Sequence, residues 1–82
     1  VVLFELSPNP NSGQFQANVE LSEEKDIILS VYNFEGVLQE RRNLAGQAVY
    51  AEDFNLTVEP GVHLMILQTP TQRKSILFTI TP

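Results

Sequence analysis

Apolar and polar side chains alternate along most of this chain. In Gln14–Leu21, Phe15, Ala17, Val19 and Leu21 fall on one side of an extended backbone, and Gln16, Asn18 and Glu20 on the other. That period of two marks a half-buried strand. The same reading predicts strands over Val2–Leu6, Ile27–Tyr32, Val37–Arg42, Ala48–Phe54, Val62–Thr69 and Lys74–Thr81, with the register of Ala48–Phe54 the least defined. Ile27–Tyr32 is apolar at nearly every position, as a central strand packed on both sides would be. No stretch keeps a helical period between caps.

Turn chemistry separates these runs. Pro8 and Pro10 close the first strand, because proline cannot donate to a ladder and restricts the residue before it. Ser22–Asp26 reads as a charged turn and Leu44–Gln47 as another, while Asn33-Phe34-Glu35-Gly36 reads as a tight hairpin whose Gly36 takes a positive φ. Pro60-Gly61 suits the centre of a type II turn, and Pro70–Arg73 joins the last two strands. The expected fold is all-β: a small immunoglobulin-like antiparallel sandwich of about seven strands.

Composition narrows the function. The 82 residues form one domain, 1–82, with no cysteine to staple it or to hold zinc or an iron–sulfur cluster. A net charge of -5 with only five Lys or Arg gives phosphate backbones nothing to attract them, so nucleic acid is not expected as a partner. The longest apolar run, Val62–Leu67, is broken by His63 and falls far short of the roughly 20 residues that cross a bilayer as a helix. The opening Val-Val-Leu-Phe lacks an initiator Met and a basic region before a hydrophobic segment, so no signal peptide is expected and the chain reads as a segment of a longer polypeptide.

Candidate chemistry is sparse. His63 is the single histidine and lies in an apolar strand, where a packed structural role outweighs that of a catalytic base. The neighbouring carboxylates Glu23/Glu24 and Glu52/Asp53 point to opposite faces if extended, so neither pair shares a proton. Asp53, Asn55 and Glu59 are the best candidates for calcium, but their spacing matches no known loop; Asn55-Leu56-Thr57 fits the short glycosylation pattern. The expectation is a non-enzyme without metal or cofactor.

Four stretches occur in a specific order: LSPNPNSGQFQANV (Leu6–Val19), ILSVYNFEGVLQE (Ile28–Glu40), FNLTVEPGVHLMIL (Phe54–Leu67) and KSILFTI (Lys74–Ile80). Together they resemble the type A C-terminal sorting domain of the type IX secretion system of Bacteroidetes, over about Phe4 to Ile80. Pro8, Asn9, Pro10 and Gly13 match its first motif, Val31, Tyr32, Asn33 and Gly36 its second, and Pro60 and Gly61 its third. Lys74, Ser75, Ile76, Leu77, Phe78, Thr79 and Ile80 match its final strand. Two departures stand out: His63 replaces a usual Tyr, and the end TITP lacks a terminal basic residue.

The resemblance implies a sorting signal carried behind cargo domains N-terminal to Val1. It further implies recognition by the type IX outer-membrane translocon, and cleavage by a sortase-like protease with release or surface attachment. The protein would then be exported, periplasmic in transit and afterwards at the cell surface or outside the cell. An exposed first or last strand offers an edge for a homodimer. The alternative is an immunoglobulin- or fibronectin-like accessory domain binding carbohydrate or protein in a secreted enzyme.

Overall fold

A computed structural model describes residues 1–82. Five strands run in chain order: β1 (Leu3–Ser7), β2 (Gln14–Asn33), β3 (Leu38–Asn55), β4 (Gly61–Gln68) and β5 (Arg73–Ile80). All pair antiparallel in one curled sheet, and no helix is long and apolar enough to cross a membrane.

β2 organises the sheet. β3 follows one of its edges along its length, while the other edge is shared, β1 taking Gln16–Glu20 and β4 taking Ile28–Asn33. β5 pairs with β4. A parallel bridge between Asn11 and Ile80 then links the β1–β2 connection to the end of β5, so the sheet curls into a half-barrel.

The fold differs from the expected seven-stranded sandwich in strand count and layering. Ser22–Asp26 is extended and lies inside β2; Leu44–Gln47 is extended and lies inside β3. Four of the seven expected segments are therefore halves of two long, bent strands. The bends are bulges: β2 carries Leu21–Glu24 where β3 carries only Ala48, and β3 carries Ala45 and Gly46 opposite Asp26 alone. Gly46, at φ 79°, takes the extra residue's left-handed conformation, and its N–H donates to Asp26 Oδ1 at 3.3 Å. The Tyr50 hydroxyl donates to the Lys25 carbonyl at 2.8 Å and accepts the Gln47 N–H at 3.0 Å, tying both bent strands together.

Inside the curl, alternation places side chains as the sequence requires. Phe15, Ala17, Val19 and Leu21 are all buried, as are Ile27, Leu29 and Val31. The Phe15 ring stacks on Phe54 and tilts against Phe78, both at 5.0 Å, joining β2, β3 and β5 at one point. Arg42 lies over Phe54 at 3.9 Å, pairs with Glu40 and Glu52, and donates to the Asp53 carbonyl at 2.8 Å. Glu52 and Asp53 do face opposite ways, since Asp53 Oδ1 accepts from Gln16 rather than from Arg42.

Candidate recognition surface

The corner after β1 is built around one side chain, Asn11. Two cis peptide bonds, Ser7–Pro8 and Asn9–Pro10, precede it. Asn11 is buried; its Nδ2 donates to the Pro8 carbonyl and its Oδ1 accepts the Gly13 N–H, both at 2.9 Å. Its own N–H donates to the Thr79 carbonyl at 3.0 Å, and its carbonyl accepts from the Thr81 N–H at 2.7 Å and the Thr81 hydroxyl at 3.1 Å. Asn9 extends the same contact, its Oδ1 accepting the Thr79 N–H at 3.3 Å and its Nδ2 reaching the Leu77 carbonyl at 3.5 Å. The two asparagines thus occupy the edge of β5 that would otherwise need another strand.

Gly13 seats the corner on the core. Its φ is 103°, its carbonyl accepts the Leu56 N–H at 2.8 Å, and a Cβ there would lie 2.4 Å from the Leu56 carbonyl oxygen. Only glycine satisfies both constraints.

The second motif forms the β2–β3 hairpin. Asn33 Oδ1 accepts the N–H groups of Glu35 and Val37, both at 2.9 Å, and the Asn33 carbonyl accepts the Gly36 N–H at 3.0 Å. Gly36 has the positive φ its position called for, 80°. Val31 is in the core, whereas Tyr32 is half-buried on the outer face. At the third motif the expected type II turn gives way to a different arrangement: Gly61, φ 137°, opens β4 opposite Ile80, and Pro60 precedes it in an irregular segment. Extending the ladder onto Gly61 outweighs closing a local turn at Pro60.

His63 is buried on the inner face. Its Nδ1–H donates to the Gly61 carbonyl at 2.9 Å, and the ring tilts against Phe78 at 5.7 Å. Nowhere do three or more His, Cys, Asp or Glu side chains converge as metal ligands do.

Dispersed in sequence, the motif segments meet at one end of the sheet. Asn11 bridges Ile80, Ile80 pairs with Gly61, and two residues along β4 His63 pairs with Asn33 at the mouth of the hairpin. In β5, Phe78 and Ile80 are buried and Ile76 packs against the core, while Ser75, Leu77 and Thr79 face outward and Lys74 is exposed near the far end. No protein-family model matches the chain, and no curated protein matches its sequence.

Asn11 was not among the residues the motif singled out, although the order Asn-x-Gly carries the signal of an Asx turn. Asn11→Ala should strip the Gly13 N–H and the Pro8 carbonyl of their partners and cost about 2–4 kcal/mol, at ~1–3 kcal/mol for each group left unpaired. Urea denaturation checks this, and Asn9→Ala, whose contacts are exposed, should cost no more than about 1 kcal/mol.

Proposed function

We propose that this chain is a C-terminal sorting domain of the type IX kind, directing its parent protein through an outer-membrane translocon. The observation that supports this reading most is the convergence just described. Residues 8–13, 31–36 and 60–61 and the last residues of 74–80 are far apart in sequence yet meet around the end of β5. A signal read in the folded state needs a fixed surface, and Asn9 and Asn11 hold the last strand in one place by hydrogen bonds. In this reading Pro8, Asn9, Pro10 and Gly13 brace the surface, β5 presents it, and a sortase-like protease then separates the domain from its cargo. The protein passes through the periplasm to the cell surface or the medium.

The carbohydrate-binding alternative calls for a platform of exposed aromatics. Phe34, 85% exposed, is the one aromatic side chain that stands clear of the surface.

Export decides the matter. In a host with the type IX apparatus, fusing residues 1–82 behind a foreign periplasmic protein should carry it to the medium or cell surface, and removing them from the parent should leave the cargo in the periplasm. Secretion of the deleted parent at the full rate would overturn the proposal.

A further inference from the structure

The outer face of the β2–β4–β5 end carries a run of apolar side chains between Ser75 and Thr79 of β5, and nothing in the chain covers it. Tyr32, Val62, Leu64, Ile66 and Leu77 point away from the core, Leu77 being 66% exposed. They line a groove of about 450 Å³, walled at the hairpin end by Phe34. The Arg73 side chain borders the same groove from the start of β5, at the opposite end of the strands.

Charge is distributed to match. Both ion pairs of the chain belong to Arg42, so Arg73 has no carboxylate partner and Glu35, next to Phe34 at the hairpin tip, has no cation. One end of the face therefore carries an unpaired positive group and the other an unpaired negative group beside a projecting aromatic ring. A surface with that arrangement is complementary to itself when turned by a two-fold rotation: Phe34 of each copy enters the groove of the other beside Arg73, and Glu35 of each meets Arg73 of the other. The edges of β5 and β3 are less suited to pairing between copies. The end of β5 is occupied by Asn9 and Asn11, and β3 bears Arg41, Arg42, Glu52 and Asp53 and two bulged regions.

We infer that this face is the contact of a symmetric homodimer, an interaction that goes beyond the proposed sorting role and shares the outward side of β5 with it. Strands ~4.8 Å apart and residues ~3.3 Å apart give the apolar patch roughly 300–400 Å², below the ~800 Å² per partner of a standard interface. The dimer is accordingly a weak one, at the low end of the size range of protein–protein contacts.

Sedimentation equilibrium of the 82-residue chain from about 1 μM to 1 mM tests it, with variants at exposed positions that leave the core intact. Leu77→Lys should weaken association at least tenfold. Arg73→Glu and Glu35→Arg should each weaken it about tenfold, and the double variant should return to within about threefold of the native value, because the charges are exchanged across the two-fold axis. A chain that stays monomeric at 1 mM overturns the inference. So does a dimer indifferent to Leu77→Lys, which would place the contact on a strand edge, or a double reversal that binds no better than either single variant.

Discussion

Gly13→Ala is expected to unfold much of the population at 37 °C. Two costs coincide at this residue. A left-handed backbone costs a non-glycine residue ~1–2 kcal/mol, and the new Cβ would meet the Leu56 carbonyl oxygen at 2.4 Å, a backbone atom that no side-chain rotation can move aside. Relieving the clash means separating Gly13 from Leu56 and losing the 2.8 Å hydrogen bond between them. The total, about 3–5 kcal/mol, is a large part of the ~4–12 kcal/mol expected for a domain of this size. At ~4–8 °C per kcal/mol the melting temperature should fall by about 12–40 °C. Gly36→Ala is the control, since its φ is also positive but a Cβ there meets open space. It should cost about 1–2 kcal/mol, and equal losses at the two glycines would contradict the close approach at Leu56.

Phe78→Ala should be comparably severe. The ring lies against Phe15 at 5.0 Å and His63 at 5.7 Å, so its removal opens a cavity where β2, β4 and β5 meet. Phe→Ala in a core costs ~3–5 kcal/mol. Leu77→Ala, one residue earlier and outward-facing, should change stability by no more than about 0.5 kcal/mol. Urea midpoints of the two variants measured in parallel provide the check. Similar losses in both would mean that β5 does not alternate as described.

Part of the fold could be read from sequence. Period-two alternation correctly separated Phe15 from Gln16, because burial on one face leaves a trace in every second residue. Strand continuity left no such trace. Ser22–Asp26 has the polar composition of a turn but no Gly or Pro to reverse the chain, and the strand continues through it with a bulge. Gly46 poses the complementary ambiguity, since a left-handed glycine serves a reverse turn or a bulge equally well. Only the partner strand decides between them, here through Asp26 and the Tyr50 hydroxyl. Pro60-Gly61 went astray for the same reason: its preferred local turn lost to pairing with Ile80, a residue that no local pattern places nearby. At the corner, the prolines and Gly13 were visible as stiff turn-formers, but the role of Asn11 depends on Thr79 and Thr81, and a role shared with the far end of the chain is invisible to local spacing.

The bond between Asn11 and the end of β5 also sets an order of events. The Thr81 hydroxyl that donates to the Asn11 carbonyl lies 70 positions later in the chain, as does the Thr79 N–H bound by Asn9 Oδ1. A polypeptide that emerges N-terminus first has made its corner long before it has made the residues that satisfy it, and loop closure over such a span is slow. Hairpins such as β2–β3 can assemble early. Closing the curl must wait until residue 80 is free, so the domain completes its fold in the last step of its emergence rather than strand by strand.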